Sequence, residues 1–285
     1  MIKIQNSIIK KSKRRSAAVL GSPGNFGKEI VKSLLDSDDW DSIVLINRLE
    51  LTDITIVNYP NYKEKVKEYV VEMDNVDRFE NCCMGILSME QCNALFIAMG
   101  VGADHAVNGN LIRYSYIDLP VAFARGAKEG TSSVKHVSIL TGIGSDKNSI
   151  PYTHDQFGLV PSIISKENLY NHIKSKVVES LIELKFPSLS IFRPTTLIGN
   201  PVSPKIISDS MVIDAYNMML GDRNKIKVER TCSPVHWNGT EREKRGSKLM
   251  AMGHGNIDLY PFLRTSEYYF DQEANQRKTI ITIKT

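Results

Sequence analysis

The sequence has few cysteines, no long hydrophobic run and no acidic residue before Glu29. Cys82, Cys83, Cys92 and Cys232 fit neither a disulfide framework nor the spacing of zinc ligands. We therefore expect free thiols in a reducing compartment and no metal site. No apolar run approaches the ~20 residues that cross a bilayer. These absences predict a cytoplasmic protein without a membrane span.

The absence of early acids leaves a basic leader over residues 1–16, which contains six lysines and arginines. Subtracting these six from the formal net charge of +4 leaves −2 for the rest of the chain. The body of the protein is therefore not a nucleic-acid surface, and we expect no nucleic-acid partner. We expect the leader to be a disordered, solvated tail. A nuclear-import patch, a membrane-surface contact and a mitochondrial presequence stay open as alternatives.

A glycine series near the start is the main motif of the chain. The apolar run 17–20 stops at Gly21, and a Gly-x-x-Gly-x-x-Gly pattern then opens a segment with helical apolar spacing. Gly21 permits a tight turn, Gly24 lets backbone approach a pyrophosphate, and Gly27 lets the helix pack closely on the sheet. The pattern predicts a strand, a phosphate-binding turn and a helix; an ordinary glycine-rich turn is the alternative.

Five later apolar runs predict further strands, over residues 42–46, 69–71, 93–99, 136–140 and 189–192. Helical spacing marks residues 111–128, where Pro120 kinks or restarts the helix, and residues 165–185 and 208–220. The alternation predicts an α/β protein with a Rossmann-type, doubly wound parallel sheet over residues 17–200. Residues 142–165 form a long loop in this interpretation, and 201–285 a small, irregular, substrate-side extension. Residues 279–283 are a terminal edge strand or a tail.

Residues at the predicted strand ends indicate the cofactor. Asn47 and Arg48 follow the second strand, where an acid would repel a 2′-phosphate, so the sequence favours NADP(H) over NAD; a solvent-exposed loop arginine is the alternative. Asp74 follows the third strand at the expected adenine edge, and Gly100 follows the fourth. Ligands of such sheets bind beyond the carboxyl ends of the strands.

Tyr170 and Lys174 are candidate catalytic residues because they lie four residues apart on one predicted helix. An ammonium beside a phenol stabilises the phenolate and lowers its pKa from about 10 toward neutrality, which suits an acid in carbonyl reduction. Thr141, at the end of the fifth strand, is the candidate to hold the substrate carbonyl. An ordinary amphipathic helix surface is the alternative for this pair.

Several blocks in order resemble the atypical or extended short-chain dehydrogenase/reductase superfamily: GSPGNFG, LINR, VVEMD, ALFIAMG, KHVSILTGIGSDK, YNHIK and IFRPTTLIG. Within it, the chain is most similar to the Tat-interacting-protein type of NADPH-binding oxidoreductase. The resemblance covers residues 17–199. The chain departs from the family pattern where Thr141 and Gly142 replace the serine expected after the fifth strand, and where the loop before Tyr170 is longer.

The resemblance implies a site and a function. Its cofactor residues would be Gly21, Ser22, Gly24, Asn25, Phe26, Gly27, Arg48, Asp74, Ala98, Gly100, Lys174, Pro194 and Thr195. It implies an NADP(H)-dependent oxidoreductase that acts on a small carbonyl or alcohol through Tyr170, Lys174 and Thr141. The alternative is an NADPH-binding regulatory or scaffold protein with a protein partner and little or no catalysis. A third hypothesis is a cofactor-bound subunit that the basic leader holds in an assembly or at a membrane surface.

Overall fold

The structure is a computed structural model. It describes residues 15–99, 111, 113–141, 153–154, 161–162, 166–194, 203–220, 263–271 and 276–283. Of these, residues 153–154, 161–162, 166–171, 194, 263–271 and 276–283 are described by their backbone only.

In the described part of the chain, eight strands form one sheet. They are β1 (Ser16–Leu20), β2 (Ser42–Asn47), β3 (Val66–Val70), β4 (Ala94–Ile97), β5 (His136–Leu140), β8 (Ser188–Pro194), β9 (Leu263–Asp271) and β10 (Gln276–Ile283). The order across the sheet is β3-β2-β1-β4-β5-β8-β10-β9. Every neighbouring pair up to β10 is parallel, and β9 runs antiparallel to β10. Two short strands, β6 (Thr153–His154) and β7 (Pro161–Ser162), pair separately.

Helices cover both faces of this sheet. They are α1 (Asn25–Asp36), α2 (Ile54–Val57), α3 (Tyr62–Lys65), α4 (Val76–Glu90), α5 (Leu119–Gly130), α6 (Lys166–Glu183) and α7 (Pro204–Leu220), with a π-helical turn (Tyr114–Asp118) before α5. One buried cluster joins the sheet to α4, α5 and α6, and a second joins it to α1 and α7. The fold is therefore the predicted Rossmann-like, doubly wound α/β fold.

The burial of both sheet faces explains why apolar runs in the sequence predict the strands. Every residue of β1, β2 and β4 is buried. Strands of a parallel sheet that is covered on both faces are nearly continuous apolar runs. Pro120 is the second residue of α5 and follows the π-helical turn, and Arg113, Asp118 and Leu119 all have right-handed helical φ and ψ. The backbone is therefore already helical before Pro120, and the predicted kink or restart takes the form of this π-helical turn.

The first described residues are more ordered than a solvated tail would be. Arg15 donates its backbone N–H to Asp41 Oδ2 at 2.8 Å, and its guanidinium contacts Asp39. The same guanidinium lies 4.9 Å from the ring centroid of Tyr216. Since β1 begins at Ser16, the expected disordered leader does not extend to Arg15 and Ser16; residues 1–14 lie outside the described part of the chain.

The end of the chain contributes to the central sheet. Helix α7 packs against α1, β5 and β8, and β10 lies between β8 and β9. Residues 279–283 are thus neither an edge strand nor a tail. The described parts of 201–285 differ from the expected irregular, substrate-side extension, because they extend the sheet and cover one of its faces. Within the expected loop 142–165, the pair β6 and β7 is the described part.

Candidate functional site

The glycine turn lies between β1 and α1 and is shaped by backbone contacts. Gly21 has a φ of +92°, and a Cβ on it would lie 2.9 Å from backbone atoms of Ala98 and Met99 at the end of β4. The Gly24 N–H donates to the Gly21 carbonyl at 3.1 Å. A Cβ on Gly27 would lie 2.0 Å from that same carbonyl oxygen. Gly21 and Gly27 therefore tolerate no side chain without movement of the backbone.

The turn leaves room for an anion at the start of α1. A Cβ on Gly24 would meet a single atom, the Gly21 carbonyl oxygen at 3.4 Å, and Gly24, Asn25 and Pro23 are exposed. Among the described residues, no side chain caps α1, and its first turn contains no acid. Phe26 is half-buried against the core, and Ser22 is fully buried. Uncapped amides at a helix N-terminus favour a phosphate.

Hydrogen bonds connect the turn to the end of β2. The Ser22 hydroxyl donates to Asn47 Oδ1 at 2.7 Å. Asn47 Nδ2 donates to Glu68 Oε1 at 2.7 Å, and the Leu51 N–H donates to the same oxygen at 2.8 Å. Both ends of the buried Asn47 amide therefore bind protein partners. Of the predicted pair after β2, Arg48 is the exposed member.

The next two strands also end near predicted cofactor residues. Asp74, which follows β3, is exposed. The Tyr114 hydroxyl donates to the Met73 carbonyl at 2.8 Å, and burial, with smaller effects of Asp74 and Asp118, raises the pKa of Tyr114. Ala98, after β4, is half-buried and donates its N–H to the Leu20 carbonyl at 3.0 Å. Gly100 lies outside the described residues.

At the end of β5, the structure brings Lys174 to Thr141. The Lys174 ammonium is buried and donates from Nζ to the Thr141 backbone carbonyl at 3.3 Å. The Thr141 hydroxyl donates to the Phe192 carbonyl of β8 at 3.1 Å. In this rotamer the hydroxyl can accept a hydrogen bond from a ligand but has no proton left to donate.

Tyr116 is a member of this group that sequence reasoning missed. Its ring lies beneath the Lys174 ammonium, with Nζ 5.1 Å from the ring centroid. The two tyrosines just before Pro120 were the available signal, but the helical spacing of residues 111–128 did not indicate a π-helical turn.

The other predicted site residues lie on or beside these elements. Tyr170 belongs to α6, one turn before Lys174, and is described by its backbone only. Pro194 is the last residue of β8 and is likewise described by backbone. Thr195 and Gly142 lie outside the described residues.

A second polar group, here called the sealed cluster, lies under α7 and consists of His136, Ser138, Ser188, Ser190 and Asp214. His136 Nδ1 bonds to the Ser188 hydroxyl at 2.9 Å and Nε2 to the Ser138 hydroxyl at 2.8 Å. The Ser190 hydroxyl donates to Asp214 Oδ2 at 2.6 Å. Burial lowers the pKa of His136 to about 3 and raises the pKa of Asp214 to about 6. Ser138 is thus a core residue, in agreement with its early position in β5.

The described residues contain neither a metal-binding group of three or more His, Cys, Asp or Glu side chains nor a helix suited to crossing a membrane. Cys82, Cys83 and Cys92 are free thiols, and burial raises the pKa of Cys92 to about 12. Cys232 lies outside the described residues.

Comparison with solved structures defines the class of fold. Serine dehydrogenase from Escherichia coli matches with a TM-score of 0.53 at 13% identity, covering 70% of this chain and 90% of that protein. A metagenomic short-chain oxidoreductase in complex with NADP matches with a TM-score of 0.47 at 16% identity, covering 71% and 90%. The first of these likenesses supports the fold, a Rossmann-like α/β domain.

Comparison of the amino-acid sequence with curated proteins gives a more specific likeness than the fold does. Protein HTATIP2 from Rattus norvegicus is 27% identical over 188 residues, which are 66% of this chain and 65% of the rat protein. The chain therefore spans just under two thirds of the length of that curated relative. No protein-family model matches the chain. In sequence and in fold the chain is therefore similar to the HTATIP2 type of atypical short-chain dehydrogenase/reductase.

Proposed function

We propose that the protein is an NADP(H)-dependent oxidoreductase that moves hydride between the nicotinamide and a small carbonyl or alcohol. The observation that carries this proposal is the position of the Lys174 ammonium, 3.3 Å from the carbonyl of Thr141. Thr141 follows β5, and Gly21 follows β1, two strands away in the sheet. Both groups therefore lie at the carboxyl ends of parallel strands, where ligands of such sheets bind.

The glycine turn fits the pyrophosphate of a dinucleotide. The exposed Gly24 and the uncapped, acid-free start of α1 offer backbone amides to an anion. Asn25, Phe26 and Ser22 complete the proposed phosphate site. Asp74 and Ala98 would line the adenosine side, and Gly100, Pro194 and Thr195 would lie along the rest of the cofactor.

Arg48 supports the choice of NADP(H) over NAD. It is exposed directly after β2, where a cation can pair with the adenosine 2′-phosphate. Asn47 is buried and its amide is hydrogen-bonded to Ser22 and Glu68, whereas Arg48 is exposed and carries a positive charge. Arg48 alone therefore carries the predicted preference.

The proposed reaction uses three residues of this chain. When bound, the nicotinamide supplies or accepts the hydride. Tyr170 would donate a proton to the substrate oxygen in reduction and take it back in oxidation. Lys174 would stabilise the Tyr170 phenolate by its positive charge. The Thr141 hydroxyl would contact the substrate from the end of β5.

A second function is favoured by the Thr141 geometry. Because its hydroxyl proton is donated to Phe192, Thr141 offers a substrate carbonyl no donor in this rotamer. An NADPH-binding regulatory or scaffold protein would need the nucleotide site without this donor. In that case a protein partner, not a small substrate, would respond to the bound nucleotide.

Calorimetric titration of nucleotide-stripped protein with NADPH and NADH tests the shared part of both functions. We expect NADPH to bind more tightly than NADH, and Arg48→Ala to weaken NADPH about tenfold or more while leaving NADH unchanged. Arg125→Ala is the matched control, because Arg125 is an exposed arginine on α5 that pairs with Glu80. Equal losses in both variants would exclude Arg48 from the contact with the 2′-phosphate. No binding of either nucleotide would refute the cofactor site.

Tyr170→Phe then separates the two functions. If the protein is an enzyme, this variant binds NADPH as the wild type does and loses NADPH oxidation across a panel of small aldehydes and ketones. If NADPH binds and neither protein oxidises it with any carbonyl of the panel, the regulatory function replaces the catalytic one.

A further inference from the structure

Tyr116 and Lys174 form a buried contact that the proposed mechanism does not use. The ammonium Nζ lies 5.1 Å from the centroid of the Tyr116 ring. The tyrosine is 7% exposed and the lysine 8%. We infer that Tyr116 is a positioning residue, whose ring face stabilises the Lys174 ammonium and holds it at the carboxyl end of β5. This inference rests on the proposed function for its catalytic meaning, but the contact itself can be tested separately.

The π-helical turn directs Tyr116 toward α6. The turn spans Tyr114–Asp118, and the Leu119 N–H donates to the Tyr114 carbonyl five residues earlier. π-Helical turns are rare in proteins, and those that exist lie frequently at functional sites. One inserted residue in a helix changes where the side chains that follow it point. The turn packs against both α5 and α6. Its first residue is anchored by the Tyr114 hydroxyl to the Met73 carbonyl.

A buried ammonium needs this kind of support. Removing a lysine from water favours its neutral form, which would not stabilise a phenolate. The face of an aromatic ring attracts a cation, more strongly in a desolvated site than at an exposed one. Lys128 provides the exposed comparison, since it is an exposed lysine whose Nζ lies 5.3 Å from the ring centroid of the buried Phe186. Tyr116 therefore favours the charged form of Lys174, the form that the proposed mechanism requires.

The test measures the pH midpoint at which the Lys174 amine loses its proton. NMR of protein containing isotope-labelled lysine gives this midpoint, and the Lys174→Arg variant identifies which resonance belongs to Lys174. Tyr116→Leu should lower this midpoint by about one pH unit, while Tyr116→Phe, which keeps the ring, should leave it near the wild-type value. Every variant keeps the other titratable groups that are described on these elements near the contact, which are Arg113, Tyr114, Asp118 and His172. Phe186→Leu controls for the loss of a buried ring elsewhere and should not move the Lys174 midpoint.

Fluorinated phenylalanines at position 116 sharpen the test and cover the case in which Tyr116→Leu does not fold. Each added fluorine weakens the negative ring face with little change of shape, so the midpoint should fall stepwise. An unchanged midpoint across the series would overturn the inference, whatever happens to turnover.

Turnover distinguishes this inference from the proposed function. If the enzyme proposal holds, Tyr116→Leu lowers kcat about tenfold and shifts its pH profile, with KM for NADPH unchanged and rescue in Tyr116→Phe. If no carbonyl is reduced by the wild type, the enzyme proposal fails, and the Lys174 midpoint still decides the role of Tyr116.

Discussion

Polar residues lie near both ends of strand β5. The group near the amino end holds a neutral imidazole, and the group beyond the carboxyl end holds a lysine ammonium. Toward its amino end, the sealed cluster pairs the His136 imidazole with two serine hydroxyls, and burial keeps the imidazole neutral. Just beyond its carboxyl end, the Lys174 ammonium has a backbone carbonyl and a ring face as partners. The comparison teaches that burial of polar groups alone does not mark a site. A charge-bearing group at the carboxyl edge of the sheet is the more specific signal.

The largest expected effect is at the carboxyl edge, in the glycine turn. Gly27→Ala places a Cβ 2.0 Å from the Gly21 carbonyl oxygen, so the turn must open. We expect the free energy of unfolding to fall by about 3 kcal/mol and NADPH binding to be lost in calorimetry. Gly85→Ala is the control: nothing lies within 4 Å of its added Cβ in α4, and it should stabilise by about 0.5–1 kcal/mol. Wild-type NADPH affinity in Gly27→Ala would contradict the proposed role of the turn.

Removing the ammonium should affect turnover more than stability. In Lys174→Met we expect NADPH oxidation to fall by about a hundredfold or more, because the proton donor loses its charged neighbour. Unfolding free energy should change by about 1 kcal/mol or less, since a buried charge is also removed. Lys176→Met, which alters an exposed lysine paired with Glu179, should leave both unchanged. Equal turnover in the two variants would exclude Lys174 from the reaction.

The sealed cluster should instead determine how stability depends on pH. Burial lowers the pKa of His136 from 6.5 to about 3, so its contribution is present above pH 6.5 and is lost as the pH falls toward 3. Burial raises the pKa of Asp214 from 3.8 to about 6, so its contribution is present below pH 3.8 and is lost as the pH rises through 6. His136 Nε2 lies 3.7 Å from Asp214 Oδ2, so the two groups titrate as a pair. Between about pH 4 and about pH 6 their contributions change in opposite directions and largely offset each other.

Asp214→Asn removes one of the two opposing contributions. Acidification from about pH 6 to about pH 4 should then reduce the unfolding free energy by roughly 2–3 kcal/mol more than in the wild type. Urea denaturation at a series of pH values measures this difference. Parallel pH profiles of the two proteins would show that Asp214 does not titrate in this range.

The smallest effect concerns the hydrogen bonds that join the glycine turn to β2. Ser22→Ala removes the buried donor to Asn47 Oδ1, and we expect a loss of about 1 kcal/mol of unfolding free energy with a modest loss of NADPH affinity. Ser180→Ala, on the outer part of α6, removes a hydroxyl that donates to a helical carbonyl and should be nearly neutral. If both variants unfold at the same urea concentration, the Ser22–Asn47 bond does not stabilise the turn.

Much of the fold over residues 17–200 could be predicted because its signals are local. The glycine series and the apolar runs of β1, β2, β4 and β5 each report the environment of a few consecutive residues. The region after residue 200 was harder to interpret. Strand β9, Leu263–Asp271, is mostly polar, and β10 acquires its place through pairing with β8 at residues Ser188–Pro194. Such pairing joins distant parts of the chain and leaves no local pattern.

The sequence by itself determined the Rossmann-like class of the fold, the glycine turn before α1 and the helix that carries Tyr170 and Lys174. Only the tertiary structure decided that Tyr116 lies beneath Lys174, that Ser22 and Glu68 occupy the Asn47 amide, and that Asp214 meets Ser190 in the core. The physical reason is that periodicity reports which face of a helix or strand is buried. It does not report which side chain of another element meets that face, because that depends on how the elements pack.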